Sequence, residues 1–148
     1  MRTTFAKEIE IVYKPNLSAA NLIKIESAYD AVEFLRSIWP DDLEFRERFY
    51  AVYLNRQNKI LGYFLISVGG ISGTFVDAKL VFQPAFAMHA SGIILAHNHP
   101  SGNLKPSGND EKLTKNLVTA GKLLDMQVLE HIILTNDSFY SFANNSLI

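Results

Sequence analysis

Hydrophobic and polar residues change rhythm several times along this chain. Residues 8–13 alternate as Glu-Ile-Glu-Ile-Val-Tyr, the period of an edge strand, and Lys14-Pro15-Asn16 closes it. From Ser27 the period lengthens. A hydroxyl stands three residues ahead of Asp30, and Ala31, Phe34, Leu35 and Ile38 then recur at helical spacing until Trp39-Pro40 stops the run. Residues 49–54 and 59–68 are rich in β-formers and flank the turn Asn55-Arg56-Gln57-Asn58, which predicts a hairpin. Gly69-Gly70-Ile71-Ser72-Gly73 reads as a loop that needs small residues. Residues 78–89 are apolar and predict a helix, with Pro84 against the pattern in its middle. The uninterrupted apolar run 92–96 predicts a buried central strand, followed by loop over 97–106. Residues 107–124 predict an amphipathic helix with Leu113, Leu117, Val118 and Leu124 near one side. Residues 127–135 and 138–142 predict a closing pair of strands around Asn136-Asp137. Strands and helices interleave after the first hairpin, which predicts an α/β fold: one mixed sheet with helices on its faces.

Composition narrows this picture. A chain of 148 residues, 48% apolar and 20% charged, is the size of one globular domain with an arm. Residues 1–46 read as an N-terminal extension of a strand and a helix packed on the core, and residues 47–148 as the main domain. Fourteen basic residues against fifteen acidic ones leave a net charge of -1, so nothing draws the whole molecule to phosphate or anionic lipid. The absence of cysteine excludes a disulfide scaffold, a zinc ribbon and a thiol nucleophile. A metal site must therefore be built from His, Asp and Glu. No apolar leader and no run long enough to cross a bilayer are present, so the expectation is a cytoplasmic protein with no membrane partner.

Chemistry concentrates in residues 97–110. His97 and His99 are two apart where the apolar run ends, so strand periodicity can point both rings to one side. Asp110 falls in the first turn of the next helix, and the chain's return through Pro100 and Pro106 could bring its carboxylate to the two rings. Two imidazoles and a carboxylate leave a fourth tetrahedral position open, the arrangement of catalytic zinc. A lone histidine is more often a surface residue or a hydrogen-bonded core residue; a pair at strand spacing before Pro, Gly and a helix-opening Asp is harder to read that way. Ser107 has two readings of equal standing: an N-cap for the backbone N–H of Asp110, or a donor to a developing oxyanion. His131, on an alternating strand, reads first as a structural imidazole and second as a support for the metal site. His89 reads as a surface cap, Asp77 as a helix opener and Gly102 as a turn residue.

His97-x-His99, seven residues, Ser107, two residues and Asp110 is similar at every spacing to the JAMM (MPN+) metalloprotease signature. The string from Ile94 to Gly102 and Tyr140-Ser141-Phe142 resemble the RadC branch of that family, over about residues 47–148. The resemblance implies a cytidine-deaminase-like three-layer α/β/α sandwich, the JAB/MPN domain. It implies one zinc ion per chain on His97, His99 and Asp110, with Ser107 as the motif serine. Glu47, ahead of the first core strand, corresponds to the family's general base, with Glu44 the competing choice. The implied activity is hydrolysis of an amide, peptide or isopeptide bond in a peptide or protein-conjugate substrate by a zinc-activated water. The alternative is a DNA-repair-associated nucleic-acid-binding or nuclease module using the same site. Near-neutral charge argues against that reading, although Arg46, Arg48, Lys79 and Lys105 could form a local basic patch. The letters His-Asn-His do not make an HNH nuclease, whose motif occupies separated positions on a ββα hairpin.

The chain departs from the RadC pattern in places. Residues 1–47 show no Gly-centred helix-hairpin-helix, Asp77-Ala78-Lys79-Leu80 replaces a His-Pro-Arg-Glu-like segment, and Glu130-His131 stands where Asp-His is common. The sequence leaves the oligomeric state open, a dimer included.

Overall fold

The computed structural model describes residues 6–10, 12, 18–70 and 75–148. Its elements are α1 (Ala28–Ile38), β1 (Arg48–Leu54), β2 (Ile60–Val68), α2 (Ala78–Ala87), β3 (Gly92–Asn98), α3 (Gly108–Leu123), β4 (Gln127–Leu134) and β5 (Phe139–Ser141). The five strands form one mixed sheet in the order β2-β1-β3-β4-β5. Only the β3–β4 pair is parallel, and α3 is its crossover.

Side-chain alternation splits the core into two halves. Tyr50, Val52 and Leu54 of β1 and Ile94 and Ala96 of β3 face α1, where they meet Ala31, Val32 and Leu35. Phe49, Ala51, Tyr53, Ile93 and Leu95 face the other way, against Val81, Phe82 and Ala85 of α2 and Leu117 of α3. This is the expected three-layer α/β/α sandwich. β3 is buried along its whole length, as an apolar strand covered on both faces must be.

Both long-range helix starts are set by a Ser-x-x-Asp capping box. Ser27 accepts from the Asp30 N–H while Asp30 Oδ2 accepts the Ser27 N–H at 2.9 Å. Ser107 and Asp110 repeat the arrangement at α3. α2 opens on Asp77, whose Oδ1 accepts the Lys79 N–H at 2.9 Å, and runs through Pro84.

Some expectations require correction. The loop expected over 97–106 begins later, because His97 and Asn98 still pair with Ile133 and Leu134 of β4 and end β3. Polar side chains ended the apolar signal two residues before the backbone pairing ends. Of the edge strand expected over 8–13, Ile11 and Tyr13 lie outside the described residues. Glu8, Ile9, Glu10 and Val12 join no strand; Ile9 is 83% exposed, so no core face holds them. Lys14-Pro15-Asn16 and residues 71–73 of the glycine loop also lie outside the described residues. The expected helix over 78–89 ends at Ala87, and His89 follows it, exposed, with φ of 55°.

Candidate metal centre

The odd-numbered face of β3 ends on His97, and His99 follows two residues later on the same side. His97 is buried and stacks parallel to Phe49, with ring centroids 5.9 Å apart. The chain then turns through Gly102, whose φ of 81° is a conformation that favours glycine, and returns to the start of α3. The return is short enough to bring the first turn of α3 back against the end of β3. There the capping box does double duty. Asp110 Oδ2 accepts the Ser107 N–H at 2.8 Å and lies 3.3 Å from His99 Nε2, while Oδ1 lies 3.4 Å from His97 Nε2. The two Nε2 atoms are 3.0 Å apart.

These residues could hold a metal ion, one ligand atom from each, all within 4.8 Å of one another. The donor set fits. Bonds of about 2.1 Å in tetrahedral geometry keep ligand atoms about 3.4 Å apart, close to the spacing seen here. His99 Nδ1 lies 2.6 Å from the Asn103 carbonyl, which can only accept, so a neutral His99 ring carries its proton on Nδ1 and presents the Nε2 lone pair. Its ring is thus aimed as a metal-ligating imidazole is aimed.

Electrostatics follow from this crowding. Burial pushes the Asp110 carboxyl up, but the close imidazoles of His97 and His99 and the Ser107 N–H outweigh it and hold it far below the usual carboxylate range. His99 is raised, chiefly by Asp110, with burial opposing and the Asn103 carbonyl assisting. Glu47 precedes β1 and is tied to the loop after β2: its N–H donates to the Gly70 carbonyl and its carbonyl accepts from Gly69. Its half-buried carboxyl is raised by burial and by Asp110, against the opposing pull of His97 and His99. Glu44, the competing residue, is exposed. The Ser107 hydroxyl oxygen accepts the Asp110 N–H at 3.0 Å, so the capping reading describes its oxygen; its hydrogen is left for another acceptor.

Two residues at the site carried no sequence signal of their own. Asn98, between the histidines, faces the opposite side of β3. It accepts the Arg48 N–H at 2.8 Å and donates to the carbonyls of Leu43 at 2.7 Å and Arg46 at 2.9 Å, so it pins the backbone on both sides of Glu47. Thr114, one helical turn beyond Asp110, contacts His131 at 2.6 Å. His131 is wholly buried and touches His97, Nε2 to Nδ1, at 2.7 Å. Glu130 beside it is a clamp: its carboxylate takes the N–H groups of His131 and Ala143 and the Ser141 hydroxyl. Of the four basic residues considered as a patch, Arg48 is committed to Asp42 through a two-pronged contact.

Fold and site together define a mixed α/β domain with a His-His-Asp group, able to hold a metal, at the carboxyl end of its central strand. The chain belongs to the RadC-like JAB domain family, whose model matches residues 25–147. It is 41% identical over 126 residues to a UPF0758 protein of Flavobacterium johnsoniae, covering 85% of this chain and 54% of that one. It is 38% identical over 141 residues to a UPF0758 protein of Alkaliphilus metalliredigens, covering 88% and 61%. With UPF0758 protein YfjY of Escherichia coli it shares 41% identity over 103 residues, 70% of this chain and 64% of the relative. The chain spans about half the length of the first of these curated relatives.

Proposed function

We propose that this domain is a zinc-dependent hydrolase of an amide, peptide or isopeptide bond. The observation that carries the reading is the convergence of His97, His99 and Asp110, three metal-ligating groups from two elements, beside a half-buried glutamate raised above its ordinary pKa. Zinc held by such a set supplies Lewis acidity, polarising a carbonyl and making water acidic near neutral pH.

The protein's own groups do the rest. His97, His99 and Asp110 would hold the ion. The Glu47 carboxylate takes a proton from the attacking water and returns it to the departing nitrogen. Its partial burial, beside another carboxylate, moves its proton affinity toward that task. The Ser107 hydroxyl hydrogen, not used in capping, is available to the carbonyl oxygen as charge develops there. The substrate class that suits this chemistry is a peptide or a protein conjugate. Commitment of Arg48 to Asp42 weakens the basic patch that a nucleic-acid reading needs.

The test is cleavage of a panel of peptide and isopeptide substrates by zinc-loaded protein. Glu47→Gln should keep zinc yet lose roughly 10²–10⁴ in rate, the usual share of a general base. Undiminished cleavage by Glu47→Gln, or no cleavage of any amide by the loaded protein, would contradict the proposal.

A further inference from the structure

Asp110 enters the site twice. Its carboxylate faces the two Nε2 atoms, and its backbone carbonyl lies 2.7 Å from the Thr114 hydroxyl one turn along α3. A carbonyl cannot donate, so the single hydroxyl proton of Thr114 lies in that contact. The same oxygen is 2.6 Å from His131 Nδ1, and with its proton spent it can only accept there. The His131 proton is therefore on Nδ1, which leaves His131 Nε2 bare. That nitrogen is 2.7 Å from His97 Nδ1, so His97 must donate, and its own proton is on Nδ1.

We infer that Thr114 and His131 are positioning residues that fix the ring proton of His97 on Nδ1, leaving its Nε2 bare for a metal ion. The opposite arrangement shows what they prevent. A proton on His131 Nε2 would force the proton of His97 onto Nε2. It would then sit between His99 Nε2 at 3.0 Å and Asp110 Oδ1 at 3.4 Å, where the ion belongs. Packing holds the plane of the His131 ring. Its ring stacks on Phe142 at 4.5 Å between centroids and meets the edge of Phe49 at 5.5 Å. His131 and Thr114 are 0% and 1% exposed, so no water competes for these protons. The direction of the whole chain of bonds is set at one end by a backbone carbonyl, the one partner in it that cannot reverse. Asp110 and His97 are thus linked through Thr114 and His131, independently of any ion they would share.

The inference rests on the metal-site reading above, and its test separates the two. The nitrogen-15 ring signals of metal-free wild-type protein should show His131 protonated on Nδ1 with a bare Nε2, and His97 protonated on Nδ1. Thr114→Val keeps the shape and removes the oxygen. It should disturb the His131 and His97 ring patterns and weaken zinc binding, measured by competition with a chromogenic chelator, about 10-fold or more. Thr114→Ser, which keeps the hydroxyl, should restore both. Equal zinc affinity and ring patterns in wild type and Thr114→Val overturn the inference. So does a wild-type His131 proton on Nε2, which decides the matter even if the valine variant fails to fold. Failure of the wild type to bind zinc would sink the hydrolase reading instead, while the ring signals still test this one.

Discussion

Asn98 stands between two histidines in sequence and on the opposite face of the strand in space. Its three hydrogen bonds hold the chain from Leu43 to Arg48, and with it the backbone of Glu47. Asn98→Ala leaves a part-buried N–H and two part-buried carbonyls without that partner. It should lower the unfolding free energy by about 2 kcal/mol, within the range for stranded polar groups, as read by urea denaturation. Stability equal to wild type would show that the clamp contributes nothing. His97, His99 and Asp110 were legible in the sequence because strand period and a helix start are local rules. Asn98 and Thr114 were not, because their partners lie 50 and 17 residues away. The Ser-Asp spacing alone says little: Ser27 and Asp30 satisfy it as a cap at α1 with no histidine in the arrangement.

At the scale of elements, the unit β3–α3–β4 makes the site. A parallel pair needs a crossover, and the crossover helix must begin at the carboxyl end of β3, where His97 and His99 stand. The amphipathic pattern of α3 and the apolar run of β3 made this unit readable. The last two residues of β3 were missed because pairing with β1 and β4 continues under polar side chains. α3 then packs closely at its far end, where a Cβ on Gly121 would collide with the Met126 carbonyl. On the same face, Tyr53 ties β1 to α2 by donating its hydroxyl to the Val81 carbonyl at 2.6 Å. Burial pushes the Tyr53 pKa above its ordinary 10.0, so the folded state holds the proton more tightly than the unfolded chain. That stabilisation is complete below about pH 10 and is lost as pH rises through the folded pKa. Tyr53→Phe should therefore cost about 1 kcal/mol near neutrality, with the gap to wild type narrowing in denaturation curves taken above about pH 10. A gap that is unchanged or widens with alkaline pH would contradict this reading.

For the whole molecule, the opposing ends of the sheet differ in kind. A cavity of about 460 Å³ lies at the amino end of β3, lined by Asn55, Arg56, Ser91, Gly92 and Gln127 among others, and includes none of the His-His-Asp group. The chemistry gathers at the other end, where β3 stops and α3 begins. No helix among the described residues is long and apolar enough to cross a membrane. The absence of cysteine left His, Asp and Glu as the available ligands, and among the described residues one such group comes together. This group is the proposed metal centre. The direct measurement is the zinc content and zinc affinity of protein purified without chelators, beside Asp110→Ala. The expected result is one zinc per chain held at micromolar affinity or tighter, and its loss in the variant, because one of three converging ligands is gone. A wild type that holds no zinc, or a variant that holds it as tightly, would overturn the metal centre.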